Sequence, residues 1–203
     1  MKKQEKSKLT EEFKISKKPS VIPSATRDLE KAAEVLKRGG VVIFPTDTVY
    51  GVGCRFDMPQ AIARIKNIKK TSQDFPILIS NLNQAHKLAK FTPQAQHLAN
   101  LYWPGALTIV LQNKTRDEKI GLRIPDSDIM LEIINKISTP IIGTSANFHG
   151  QSVPTSYKEL DPNFVKLADY VIKGPCKMAK ESTVIDITFI PPRILRKGVI
   201  QLQ

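Results

Sequence analysis

Three short segments combine residue types that bind anions and small polar ligands. Pro45-Thr46-Asp47-Thr48-Val49-Tyr50-Gly51-Val52-Gly53 sets two hydroxyls and a carboxylate between a proline and two glycines. Hydroxyls bind a carboxylate or a substrate hydroxyl, and glycines let backbone approach a ligand closely. Asp47 could orient a cation or an amine, although the same residue types also build a plain strand-to-loop turn. Arg64, Lys66, Lys69 and Lys70 fall within seven residues, followed by Thr71 and Ser72. They are either a phosphate clamp or a set of charges answering a helix dipole. Gly143-Thr144-Ser145-Ala146-Asn147 runs on to Gly150. Ser145 and Asn147, two apart, share one side of an extended segment and suit phosphate or ribose oxygens, or else a polar turn. Weaker singly are Arg123 in Gly121-Leu-Arg-Ile-Pro125, Glu181-Ser182-Thr183-Val184, and Leu195-Arg196-Lys197-Gly198.

The common nucleophile and metal motifs are missing. There is no Gly-x-x-x-x-Gly-Lys-Ser/Thr loop and no Gly-x-Ser-x-Gly elbow. His86, His97 and His149 have no metal-ligand spacing, and Cys54 and Cys176 form no Cys-x-x-Cys. A protein-held zinc and a disulfide framework are therefore not expected, and Trp103 reads as a packing residue before a strand.

The elements that must position these segments follow from hydrophobic spacing. Leu29, Ala32, Ala33 and Leu36 fall at i, i+3, i+4 and i+7, which predicts a helix started by Ser24 or Thr26 and ended by Gly39 or Gly40. Val41–Phe44 is a continuous apolar run, as in a strand buried on both faces. A second helix opens near Asp57 and carries Ile62, Ile65 and Ile68 to the basic cluster at Lys69. Strands are predicted at 77–79, 107–111, 120–124, 140–143, 170–172, 182–188 and 193–196, and helices over 83–102 and 128–137. Helices and strands alternate early and strands dominate late, so the fold class is mixed α/β, of α+β character, rather than a regular Rossmann repeat.

A chain of 203 residues with 41% hydrophobic content fits one globular domain and excludes wholesale disorder. No apolar run is long enough for a signal peptide or a membrane span, and the expected location is the cytoplasm. The net charge is +12, and residues 1–20, with seven lysines and three glutamates, hold +4 of it. Residues 1–22 read as a flexible basic arm and 23–203 as the folded domain. The remaining charge predicts an anionic partner: nucleic acid, a nucleotide triphosphate or an acidic surface.

Taken in order, Pro45–Gly53, Trp103-Pro-Gly-Ala-Leu-Thr108, Leu122-Arg-Ile-Pro125, Thr144-Ser-Ala-Asn147 with Gly150, Glu181-Ser-Thr-Val184 and Ile194-Leu-Arg-Lys-Gly198 resemble the YrdC-like family. Within it they are most similar to the TsaC branch, the threonylcarbamoyl-AMP synthases. The resemblance implies a single domain with a twisted mixed parallel/antiparallel sheet, flanked by helices, with a basic concave site. It implies a nucleotidyltransferase that makes threonylcarbamoyl-AMP and pyrophosphate from L-threonine, bicarbonate or CO2, and ATP with Mg2+. A partner tRNA threonylcarbamoyl transferase complex then modifies the adenosine beside the anticodon, and weak contact of this chain with tRNA is conceivable. By position, Thr46, Thr48, Arg123 and Ser182 would bind threonine, and Lys69, Thr108, Thr144, Ser145, Asn147 and Arg196 would bind ATP. No protein nucleophile is implied, and no metal held by protein alone. The end at Gln203, soon after Arg196, would make this the single-domain type.

Two departures stand out. The family's Lys-x-Arg-Pro becomes Lys69-Lys70-Thr71-Ser72, which removes a guanidinium that Lys66 or Lys70 would have to replace without its bidentate fork. After Asn147, His149, Gln151 and Val153 stand where the family often has Ser, Arg and Ser. The alternatives are a YciO-like member with another activity, although Ser145 and Asn147 are retained, and a non-enzymatic RNA-binding protein, although no aromatic stacking platform is evident.

Overall fold

The computed structural model describes residues 23–202, so the expected basic arm over 1–22 lies outside the described residues. Helix α1 (Pro23–Lys37) leads into strand β1 (Val42–Pro45), which turns back as β2 (Tyr50–Arg55). Then follow α2 (Pro59–Lys69), β3 (Ile77–Leu78), α3 (Leu82–Leu88), α4 (Pro93–Tyr102), β4 (Leu107–Gln112), β5 (Lys119–Arg123), α5 (Asp128–Ile137) and β6 (Ile141–Ser145). A 3-10 turn (Tyr157–Glu159), a short α6 (Pro162–Val165), and β7 (Tyr170–Val171), β8 (Thr183–Asp186) and β9 (Arg193–Arg196) complete the order. The nine strands form one sheet in the order β7-β1-β2-β6-β3-β5-β4-β8-β9. Pairs β1/β7, β3/β5 and β4/β8 are parallel and the rest antiparallel, so the expected mixed sheet is present.

Strand alternation sends neighbouring residues to opposite faces, and here it separates two cores. Val41, Ile43, Val52, Cys54, Ile109 and Leu122 pack with Ala61 and Ile65 of α2, Ala85 of α3, and Ala95 and Ala99 of α4. Val42, Phe44, Leu78 and Ile141 pack on the other face with Leu29 and Leu36 of α1 and Met130, Ile133 and Ile134 of α5. Val41–Phe44 is thus buried on both faces, as its uninterrupted apolar run predicts. Because Ile109 and Leu122 point to the first face, their neighbours Thr108 and Arg123 point to the second. Helices α1 and α5 cover only part of that second face, and the rest carries the site described below.

Local chemistry explains several boundaries. Gly39 takes φ +82° just past α1, as a helix-ending glycine does. Helix α1 begins at Pro23, so Ser24 and Thr26 lie in its first turn rather than before it. The predicted single helix over 83–102 is two. Asn81 caps α3 by accepting from Gln84 N at 3.0 Å, and Thr92 caps α4 by accepting from Ala95 N at 3.1 Å. Pro93 disfavours a helical Thr92, which forces the break.

The main addition is β2, since Tyr50–Gly53 read as loop in the sequence. Its glycines are sites of close approach. A Cβ at Gly51 would lie 2.8 Å from Phe44 Cε2, and one at Gly53 would overlap the Ile142 carbonyl. Phe44 lies across this glycine floor, so β2 is glycine-rich because β1 and β6 pack onto it. Gly53→Ala should therefore cost roughly 1–3 kcal/mol of stability through overpacking, read as a lower melting temperature with ordinary secondary-structure content. An unchanged melting temperature would contradict this packing.

Candidate active site

One cleft gathers most of the residues picked out from the sequence. Thr46, Thr48, Thr108, Arg123, Thr144, Ser145, Ser182 and Arg196 all line it, and it is open to solvent with a cavity volume of about 80 Å³. Phe44, Val49, Gly51, Pro76, Leu78, Gly143 and Glu181 complete the lining. Lys69 and Asn147 stand beside it through Ser145. Arg123, Ser145 and Arg196 are the last residues of β5, β6 and β9. Thr108 and Arg123 stand on the open part of the sheet face, and the β1–β2 turn bends over to meet Arg123.

Arg123 is the centre of one side of that arrangement. Its Nε donates to Gly105 O at 2.9 Å, its Nη1 to Thr48 Oγ1 at 3.0 Å, and its Nη2 to Asp47 Oδ1 at 2.5 Å. Of the guanidinium's five N–H donors, these leave one on each terminal nitrogen. A pair of unspent guanidinium N–H donors suits a carboxylate. Burial pulls the guanidinium below its ordinary value, the Asp47 carboxylate opposes that pull, and nearby Arg196 adds to it. Arginine nonetheless stays charged at any ordinary pH. Asp47, read from the sequence as able to orient a cation or an amine, is paired here with Arg123. Asp47 Oδ2 is buried without a hydrogen-bond partner.

The loop 174–181 supports the turn from outside. Tyr50 Oη donates to Gly174 O at 2.7 Å and accepts from Gly174 N at 2.9 Å. Met178 N donates to Asp47 O at 2.9 Å. The same loop delivers Glu181 and Ser182. Arg196 Nη1 pairs with Glu181 Oε1 at 2.7 Å, and its Nη2 donates to Ser182 Oγ at 2.9 Å. Ser182 Oγ also lies 3.1 Å from Thr108 Oγ1. Glu181 lacked any signal of its own in the sequence; only its place before Ser182 could have pointed to it.

On the other side, Lys69 Nζ donates to Ser145 O at 2.9 Å, Asn147 O at 2.6 Å and Asn147 Oδ1 at 2.8 Å. Ser145 Oγ donates to the same Asn147 Oδ1 at 2.7 Å, so the two side chains do share one side. The expected compensators for the missing arginine are placed differently. Lys66 Nζ pairs with Asp74 Oδ1 at 2.7 Å and donates to Ser72 O at 3.2 Å, which commits its charge to its own loop. Lys70 is the left-handed C-cap of α2, at φ 48°. His86, His97 and His149 are exposed, and Trp103 is packed with its Nε1 donating to Leu107 O at 2.7 Å. Cys54 and Cys176 are free thiols.

A mixed sheet whose open face holds a guanidinium with unspent donors beside further cations and small hydroxyls defines an α/β protein with a cleft suited to anions. The chain belongs to the Sua5/YciO/YrdC family, whose model, described as "Telomere recombination", matches residues 34–198. It is 35% identical over 184 residues to the threonylcarbamoyl-AMP synthase of Pyrococcus abyssi, covering 85% of this chain and 54% of that protein. A Methanocaldococcus jannaschii relative is 35% identical over 187 residues, covering 86% of this chain and 89% of the relative. Among solved structures, P. abyssi Sua5 complexed with L-threonine superposes with a TM-score of 0.78 at 36% identity, over 84% of this chain and 54% of that one. Escherichia coli YciO superposes with a TM-score of 0.75 at 26% identity, over 85% and 90% of the two chains. The chain therefore spans about half the length of the P. abyssi protein and most of the shorter relatives.

The Lys69 ammonium gives a pH test. Burial lowers its pKa to about 8, with Glu181 opposing the shift, so the group is mostly charged at pH 7 and loses its proton as pH rises through about 8. Inorganic pyrophosphate affinity, titrated by calorimetry from pH 6.5 to 9.5, should fall through that region. In Lys69→Met that step should be absent, and a step that persists would assign it elsewhere.

Proposed function

We propose that this chain is an L-threonylcarbamoyladenylate synthase, joining threonine, bicarbonate or CO2, and ATP and releasing pyrophosphate. The observation that carries this reading is the Arg123 fork, held by Asp47 and Thr48 on the face that also bears Thr108, Ser145, Ser182 and Arg196. A carboxylate at that fork places an amino acid beside groups suited to a nucleotide. The threonine ammonium and bicarbonate condense to a carbamate, releasing water and one proton. A carbamate oxygen then forms the bond to the α-phosphorus as the bond to pyrophosphate breaks. Such a reaction needs positioning and charge neutralisation rather than a protein nucleophile, in keeping with a cleft lined by hydroxyls and guanidiniums.

On this reading Thr144, Ser145 and Asn147 hold the nucleotide, and Lys69 and Arg196 exchange their protein partners for phosphate oxygens. Among the described residues no three His, Cys, Asp or Glu side chains gather for a metal, and Glu181 is the one carboxylate lining the cleft. Mg2+ would then arrive on the triphosphate, with Glu181 able to add a ligand, and would neutralise phosphate charge. The adenylate would pass to a tRNA threonylcarbamoyl transferase complex. Among the described residues no helix is long and apolar enough to cross a membrane.

One observation favours a second reading, a family member with another activity as in the YciO branch. With Thr71 in place of arginine and Lys66 tied to Asp74, the phosphate side holds fewer free cations than the family pattern. Incubation with ATP, Mg2+, bicarbonate and threonine separates the two. The synthase reading expects pyrophosphate and threonylcarbamoyl adenylate only when threonine is present, and threonine-independent pyrophosphate release would sink it. Arg123→Lys, which keeps a charge but not the fork, should raise the threonine KM roughly tenfold or more while the ATP KM holds. Thr71→Arg should tighten ATP by about tenfold, the effect of one charge-assisted hydrogen bond, and unchanged ATP affinity would refute this account of the phosphate side.

A further inference from the structure

The hydroxyl protons of the β1–β2 turn can be assigned from their partners. Thr46 Oγ1 donates to Val49 O at 2.7 Å, and a carbonyl oxygen only accepts. That uses the single proton Thr46 has. Thr46 Oγ1 also lies 2.9 Å from Thr48 Oγ1, a contact that is favourable only if Thr48 supplies the proton. The amides of Thr48 and Val49 point into Thr46 Oγ1 as well, at 3.1 and 3.2 Å, so Thr46 has no capacity left for a ligand. On the far side, Arg123 donates into Thr48 Oγ1 at 3.0 Å, and a guanidinium can only donate. The wire therefore runs one way, from Arg123 through Thr48 and Thr46 to the Val49 carbonyl, with Asp47 anchoring its first member. Thr48 has already given its proton inward and keeps one lone pair.

We propose that Thr46 is a positioning residue that fixes Thr48 as a pure hydrogen-bond acceptor, so that the cleft selects an amino acid whose side chain donates a hydrogen bond. This rests on the reading of the cleft as an amino-acid site. The donor it takes is a side-chain hydroxyl rather than the α-ammonium. A group bonded to Thr48 Oγ1 is two hydrogen bonds from the Arg123 guanidinium, where a second cation is repelled and a neutral hydroxyl is not. Thr46 itself does not bond the substrate; it acts through Thr48. This differs from the sequence reading, in which both threonines bind threonine alike.

The test compares two isomers. L-threonine carries a hydroxyl, whereas O-methyl-L-serine has the same atoms with an ether oxygen that accepts but cannot donate. Affinities are measured by calorimetry on the full chain, with ATP binding followed separately and folding checked by melting. The unmodified protein should favour threonine at least tenfold, since a buried acceptor facing an acceptor is left unpaired. In Thr46→Val the Thr48 proton is freed to turn into the cleft. Affinity for the ether should then rise and the preference fall several-fold, with ATP affinity unchanged. Thr46→Ser, which restores the proton sink, should restore the preference. A gain for the ether is an effect that mere loosening of the turn does not produce. An unchanged preference in Thr46→Val, or parallel weakening of both ligands, would overturn the proposal. Should Thr46→Val fail to fold, Thr48→Val must lower the preference by weakening threonine, and a preference that survives it overturns the proposal equally. If the unmodified protein binds ATP but neither amino acid, the amino-acid reading of the cleft falls, and this inference with it.

Discussion

The contact between Asp47 and Arg123 is the constraint around which the cleft is arranged. Strands β2, β6 and β3 lie between β1 and β5 in the sheet, so a flat sheet would hold the two about 19 Å apart at the usual strand spacing. The ion pair exists because the turn after β1 folds back over the sheet face and meets a side chain rising from β5. Both partners are almost wholly buried. Removing one member of such a pair, and leaving the other charged in low dielectric, typically costs about 3–5 kcal/mol. The pair therefore ties the position of the turn to the charge of the site. Thr48 is held on the same guanidinium, Gly105 takes its Nε, and the 174–178 loop rests on Asp47 through Met178 N. The β1–β2 turn, Gly105 and β5 meet at one arginine, and the 174–178 loop joins them through Asp47.

The division of the sheet face explains why the site is there at all. Helices α1 and α5 cover Val42, Phe44 and Ile141 on one part of the face. Beyond Phe44 and Leu78 no helix among the described residues follows, and the face changes character from branched aliphatics to Gly51, Gly143, Thr108 and Arg123. Small residues lower the floor and polar ones keep it wet. The apolar edge that Phe44 and Leu78 present to the cleft is the rim of the core itself, so its position is set by packing rather than by loops.

Much of this was legible in the sequence because it is local. The uninterrupted Val41–Phe44 run, the Ile-bearing face of α2 and the span of α5 from Asp128 to Ile137 followed from spacing alone. The polar motifs named most of the cleft because each carries its chemistry within a few residues. What the sequence hid depends on partners distant in the chain. Tyr50–Gly53 looked like loop, since the reason for its glycines is Phe44 and the Ile142 carbonyl lying across them. The break between α3 and α4 was signalled by Thr92-Pro93, but the periodicity on either side masked it. Lys66 looked free to meet a phosphate, and only the placement of Asp74 shows that its charge is committed. Glu181 was quoted only as part of the Glu181–Val184 segment, and the role of its carboxylate comes from Arg196.

Net charge is the property on which the sequence pointed least accurately. A value of +12 suggested a cleft rich in unopposed cations. Within the cleft, however, Arg123 is matched by Asp47 and Arg196 by Glu181, and Lys69 beside it is held by neutral oxygens. Long-range attraction of a polyanion thus falls to the surface lysines and arginines, which salt screens over roughly 10 Å. On the proposed function, selection inside is by exchange: a carboxylate fits the two N–H groups that Arg123 has left, and a phosphate displaces the carbonyls around Lys69 or the carboxylate on Arg196. Such exchange costs little when the newcomer reproduces the geometry it replaces and a great deal when it does not. On that reading, a cleft whose charges are already satisfied in this way discriminates between anions by shape and proton direction, whereas bare positive charge would bind any of them.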